Sequence, residues 1–199
     1  MRRIKLTIVA LFLVVPLVAH ADLITVDFDD PGVPPPGFGV TGGFNVSSHG
    51  CDFSTSAAFS GLENQSEGSD NGTTHLFGSD VTMTCGGVFD LVTWDMGEDF
   101  EELAIFFLID LVYADGTTLT QGGTLDGVFG FETWNNCCDA GLGLISARWY
   151  TNDSSVIFPD QPAQFVLDNI VVRVPEPGTL ALLGIGLFGM GLARRGKFV

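Results

Sequence analysis

Between Asp22 and Val174 no apolar stretch has the length and 3.6-residue period of a surface helix; apolar residues come in short runs cut by glycine, aspartate and asparagine. Such a chain buries a core by stacking strands. Leu23–Phe28, Val81–Cys85, Val88–Met96, Thr117–Leu125, Val128–Trp134, Leu144–Thr151 and Gln164–Val174 all have strand composition. Asp115-Gly116 and Asp126-Gly127 stand between such runs as hairpin turn signals. Ser47–Ser56 and Gly61–Thr74, rich in serine and glycine, read as loops. The segment Asp99–Tyr113 fits a buried helix or a buried strand, because Leu103–Ile109 shows no alternation. Its Ala114-Asp115-Gly116 turn into Thr117 favours the strand. A succession of short strands with no βαβ rhythm predicts an all-β fold, an antiparallel β-sandwich of jelly-roll type.

Charge separates this body from the two ends. Only Glu176 of the 24 acids lies beyond Val174, and only Arg148 and Arg173 of the 8 bases lie within the body, which therefore carries a formal −21. A surface of that sign repels phosphate backbones, so nucleic acid is excluded as a ligand. Disorder is excluded as well, because Phe, Val, Leu and Ile are plentiful enough to bury a core.

The first 21 residues have the three parts of a secretory signal peptide: basic Met1–Lys5, apolar Leu6–Val18 and the small-x-small site Ala19-His20-Ala21. The mature chain then begins at Asp22. At the other end, Pro175-Glu176-Pro177 precedes an apolar run, Thr179–Ala193, and the basic cluster Arg194-Arg195-Gly196-Lys197. As a helix that run is about 22 Å long at ~1.5 Å per residue, able to span a thinned bilayer. Positive charge outside both apolar segments keeps those ends cytoplasmic and places the acidic body beyond the inner membrane.

Pro175, Glu176 and Pro177, followed by the apolar span and Arg194-Arg195, resemble the sorting signal of PEP-CTERM proteins. The resemblance covers residues 175–199 and implies cleavage by an exosortase, an integral-membrane enzyme of Gram-negative bacteria that make exopolysaccharide. It implies transient residence in the inner membrane, then release to the cell surface or extracellular matrix. It identifies a route rather than a ligand, because the family shares its tail across unrelated bodies. Gly184, Gly186 and Gly189 also satisfy GxGxxG, but the chain ends at Val199, before the acid that a dinucleotide site needs about 20 residues further on. Small residues that ease helix packing in lipid explain them.

Chemistry within the 22–174 domain is less marked. His49 and His75 show no zinc spacing, no GxSxG elbow is present, and so many acids make any carboxylate pair uninformative. The body therefore reads as non-enzymatic. Aspartate outnumbers glutamate 17 to 7, and turn carboxylates are what Ca²⁺ requires. Asp27, Asp29 and Asp30 on the first strand, with Asp168-Asn169 on the last, resemble the terminal-strand calcium site of jelly-roll carbohydrate-binding modules. The competing reading is that these are turn carboxylates satisfied by backbone amides.

Cys51, Cys85, Cys137 and Cys138 are expected to be bridged in an exported chain, and four cysteines allow three connectivities. A vicinal Cys137-Cys138 bridge would leave Cys51 with Cys85; two long-range bridges are the alternative. The Cys51-Cys85 pairing is favoured because these residues flank one loop-rich insertion. Alternation puts Gly130, Glu132 and Trp134 on one face of their strand and Ser146, Arg148 and Tyr150 on one face of another. If those faces meet solvent, Trp134 and Tyr150 are carbohydrate contacts; partly buried packing is the ordinary reading. The sequons at Asn45, Asn64, Asn71 and Asn152 read as chance products of Ser/Thr-rich loops. The leading expectation is a surface or matrix protein with a structural or adhesive role, partnered by extracellular polysaccharide. A carbohydrate-binding module with a defined glycan is the second reading, and a surface hydrolase the third.

Overall fold

The computed structural model describes residues 21–29, 43–56, 60–63, 73–99, 104–128, 130–135, 143–152 and 162–175. Their strands are β1 (Ala21–Val26), β2 (Phe44–Ser48), β3 (Cys51–Thr55), β4 (Gly61–Glu63), β5 (His75–Gly78), β6 (Asp80–Cys85), β7 (Asp90–Glu98), β8 (Phe106–Tyr113), β9 (Thr118–Thr124), β10 (Phe131–Asn135), β11 (Leu144–Thr151) and β12 (Phe165–Pro175). They form two sheets. Sheet A runs β10-β7-β12-β5-β4, with β1 also paired to β12; sheet B runs β2-β3-β6-β11-β8-β9. The pairings with a resolved register are all antiparallel.

Period-two burial makes the sandwich. In β8, Phe107, Ile109, Leu111 and Tyr113 are buried while Phe106, Leu108, Asp110 and Val112 face outward. This resolves the ambiguous Asp99–Tyr113 segment: its C-terminal half is a strand whose outer face carries apolar residues too, which hid the alternation from the sequence. The inner faces meet where Trp94 of β7 packs edge-on to Trp149 of β11 at 6.0 Å and Phe107 of β8 packs edge-on to Trp134 of β10 at 4.8 Å. Each fully buried large side chain of this kind contributes roughly 1.5–3 kcal/mol.

Two turn readings come out differently. Asp115-Gly116 closes the β8–β9 hairpin: Gly116 has φ 88°, and Asp115 Oδ1 accepts from Thr117 N at 2.9 Å. Asp126-Gly127 is instead a crossover, because β9 lies in sheet B and β10 in sheet A. The Ser47–Ser56 loop reading is also corrected, since β2 and β3 occupy it as a hairpin. His49 and Gly50 have φ of 50° and 79°, the pair of positive values that a two-residue turn matching strand twist demands. Polar residues masked the strands: Asn45, Ser47, Asp52 and Ser54 hold the outer positions, and Ser48 and Thr55 share the inner ones with Val46, Cys51 and Phe53. Gly61–Glu63 of the second loop reading is likewise a short strand paired with β5.

Candidate functional site

The outer face of sheet B carries an organised polar surface. Its axis is β11, where Arg148 and Tyr150 point outward, as alternation predicts, while Ala147 and Trp149 are fully buried. Arg148 Nε and Nη2 donate to Asp80 Oδ1 and Oδ2, each at 2.8 Å, and Ser56 Oγ donates to Asp80 Oδ2 at 2.9 Å. The Arg148 hydrogen bond holds the Asp80 carboxyl below its ordinary range against a partial desolvation that opposes it. The same pair raises Arg148. The guanidinium carbon lies 4.7 Å from the Tyr150 ring centroid, a cation–π distance. Partial burial and then the Asp110 charge raise the Tyr150 phenol, so it is a neutral hydroxyl at ordinary pH.

An apolar strip adjoins this network. Tyr150 stands opposite Leu108, and Leu108 opposite Gly122. Leu108 and Phe106 lean over the glycine, whose absent Cβ would lie 2.9 Å from Leu108 Cδ2 and 3.1 Å from Phe106 Cζ. Phe106 is 47% exposed. Beyond the strip, Thr120 Oγ1 donates to Asp110 Oδ1 at 2.6 Å. Further across the sheet a shallow groove of about 390 Å³ is lined by Asn45, Ser47, Asp52, Ser54 and Thr84, among others. Aromatic and aliphatic surface bordered by fixed carboxylates and hydroxyls on a rigid sheet can stack on a sugar ring and hydrogen-bond its edges.

Trp134, the other expected sugar contact, lies elsewhere. It stands opposite buried Trp94 in register, and a Cβ on Gly123 would meet its ring at 2.6 Å. Its face is the interior, half-buried between the sheets, not the solvent. Alternation grouped Glu132 with Trp134 correctly; Glu132 is half-buried opposite Met96, and Glu98, Asp126 and Glu132 bring carboxylate oxygens within 4.8 Å of one another. That set could hold a metal ion. Gly127 N donates to Glu98 Oε1 and Asp126 N to Glu132 Oε1, each at 2.8 Å. Desolvation, followed by the neighbouring carboxylates, raises Glu98. No sequence spacing signalled this grouping.

The terminal-strand aspartates are partly brought together. Thr73 Oγ1 donates to Asp168 Oδ2 at 2.8 Å, and the adjacent Thr74 N donates to Asp29 Oδ1 at 2.9 Å. Asp168 is fully buried and also accepts from Asn169 N at 2.8 Å, where Asn169 takes φ 46° at a bulge in β12. Asp27 contributes its carbonyl to Ser48 Oγ at 2.6 Å. Asp30 lies outside the described residues.

Cys51 and Cys85 are disulfide-bonded across β3 and β6, with Cα atoms 4.0 Å apart. Cys137, Cys138, the first 20 residues and the tail beyond Pro175 lie outside the described residues. Among the described residues no helix is long and apolar enough to cross a membrane.

A second titratable cluster, unmarked in the sequence, is buried in sheet A. Glu63 of β4 stands opposite His75 of β5, with His75 Nε2 3.4 Å from Glu63 Oε1. Burial, then the Glu63 carboxylate, pushes the Asp99 carboxyl up to about 9.

The chain matches the PEP-CTERM protein-sorting motif over residues 173–195. Comparison with curated proteins gives no sequence match. A DUF4465 family protein from Bacteroides caccae is similar in structure at TM-score 0.55 and 8% identity, over 77% of this chain and 99% of that one. The family 29 carbohydrate-binding module CBM29-2 is more distant, at TM-score 0.39 and 14% identity over 77% of this chain and 93% of the module. A likeness at such identity concerns the fold alone. The chain carries a PEP-CTERM protein-sorting motif, which implies export and cell-surface sorting, behind a body with a two-sheet antiparallel β-sandwich fold.

Proposed function

We propose that this protein is an exported, non-enzymatic component of the cell surface or exopolysaccharide matrix, cut by an exosortase at its tail and holding extracellular polysaccharide through the outer face of sheet B. The observation that carries the adhesive half is the strip of Tyr150, Leu108 and Phe106 beside the Asp80–Arg148 pair. Tyr150, not Trp134, is the residue on which the reading rests. Formal charge argues for neutral glycans, because a −21 body repels acidic ones. Hairpins β2–β3 and β8–β9 in one sheet, joined by crossovers to the other, support a jelly-roll description. A terminal-strand calcium ion belongs to the same proposal, its support being that Asp29 and Asp168 accept from the adjacent residues Thr74 and Thr73. Function is argued from this site and from the tail, since a sandwich fold hosts many activities.

The test is binding of the secreted protein to a panel of neutral and acidic polysaccharides, with Tyr150→Ala as the variant. Saturable binding to a neutral glycan, weakened at least about tenfold (~1.4 kcal/mol) in the variant, is expected. Wild-type affinity in a folded Tyr150→Ala protein would remove the sheet-B face from the proposal.

A further inference from the structure

We propose that Glu63, His75 and Asp99 form a binding site for one borderline divalent cation of the zinc type, independent of the glycan-binding reading. The three come from separate parts of sheet A: the last residue of β4, the first of β5 and the residue just past β7. Their exposures are 5%, 0% and 0%. Both ring nitrogens of His75, both carboxylate oxygens of Asp99 and Oε1 of Glu63 are buried without a hydrogen bond of normal geometry. Buried polar atoms are nearly always partnered, and a concentration of orphans in one place is how an ion site looks without its ion.

The chemistry of the donors narrows the ion. Two adjacent buried carboxylates cannot both stay charged unless a cation lies between them; otherwise one of them takes a proton. A proton on Asp99 removes one charge and leaves an imidazole lone pair with nothing to accept. A dication takes the lone pair and both carboxylates at once. One imidazole with two carboxylates suits Zn²⁺ and its neighbours, whereas Ca²⁺ and Mg²⁺ prefer sets made of oxygen alone. Phe131 packs edge-on against the His75 ring, with centroids 5.6 Å apart, and gives the site an apolar wall. Among the described residues only Glu98, Asp126 and Glu132 already have donor atoms all within 4.8 Å of one another. In the His75 cluster Glu63 adjoins both other residues, and a bound ion would have to draw the donors inward. The bound ion would tie the β4–β5 edge to the end of β7, since β5 reaches the rest of sheet A through only Leu76–Gly78 paired with β12.

The experiment uses the full chain, stripped with chelator and titrated with Zn²⁺, Ca²⁺ and Mg²⁺ by calorimetry and thermal melting, with Co²⁺ as a spectroscopic probe. The expected result is one Zn²⁺ per chain and a visible Co²⁺ ligand-field spectrum. At about 100 times the Kd, Zn²⁺ should raise the melting temperature by about 5–10 °C, with no equal effect from Mg²⁺. His75→Gln and Asp99→Asn should each weaken Zn²⁺ at least about tenfold, while Glu132→Gln at the other carboxylate set leaves it unchanged. If His75→Gln does not fold, Asp99→Asn and the wild-type Co²⁺ spectrum decide. Failure of the wild type to bind Zn²⁺, binding that survives Asp99→Asn undiminished, or an equal shift with Mg²⁺ overturns the proposal.

Discussion

Adding one methyl group at Gly123 probes where Trp134 points. A Cβ there would lie 2.6 Å from Trp134 Cη2 and Cζ3 and 2.8 Å from Phe107 Cε1, whereas ordinary contact begins at 3.4 Å. The indole cannot retreat freely, because it is packed edge-on to Phe107 at 4.8 Å. Overpacking of this kind costs about 1–3 kcal/mol. Gly123 is not in the positive-φ region, so alanine recovers about 0.4–1 kcal/mol from the unfolded chain. From the middle of those ranges, about 2 kcal/mol lost against about 0.7 recovered, the net loss for Gly123→Ala is about 1.3 kcal/mol, a melting temperature lower by roughly 3–5 °C at ~2–4 °C per kcal/mol. Gly86→Ala is the control, since nothing lies within 4 Å of the position its methyl would occupy, and it should melt at or slightly above wild type. The decisive measurement is a double-mutant cycle: in a Trp134→Ala background, Gly123→Ala should lose the indole's part of its cost, keeping only that of the 2.8 Å approach to Phe107 Cε1. Equal melting of Gly123→Ala and wild type, or an unchanged cost without the indole, would refute an inward Trp134.

Two further outcomes follow from the covalent and ionic links of sheet B. Replacing Cys51 and Cys85 by serine opens a bridge of sequence separation 34 and should cost about 2–4 kcal/mol, visible as a fall of about 4–16 °C in a thermal melt; a change under about 2 °C would show that the bridge does not constrain the unfolded chain. Because Asp80 is held below its ordinary value of 3.8 by Arg148, its stabilising share is present above that value and lost as pH falls through the lower folded value. The Asp80 and Arg148 side chains are 24% and 44% exposed, so screening limits the share to about 1 kcal/mol or less. In urea titrations Arg148→Gln should therefore trail wild type near neutral pH and converge with it in strong acid, and a gap that persists in acid would refute the ionic origin.

Much of this protein was legible in local sequence. The strand character of Leu144–Thr151 and Gln164–Val174, the Asp115-Gly116 hairpin and the sorting motif all depend on residues near one another in the chain. The outward pair Arg148 and Tyr150 was legible for the same reason, because alternation along one strand needs no partner. Strands β2 and β3 were missed since six of their ten positions are polar, two of them, Ser48 and Thr55, on the buried face, and their place in the sheet comes from β3 pairing with the distant β6. Alternation also sorted Glu132 with Trp134 but could not say which face met the core; that depended on Trp94 and Phe107, carried by strands of two different sheets. The approach of Glu63 to His75, and of Asp99 to Glu63, was beyond any local reading. A strand's sequence specifies two faces, but which face is buried, and which distant carboxylate or imidazole is buried beside it, is set by long-range pairing that no window of the chain contains.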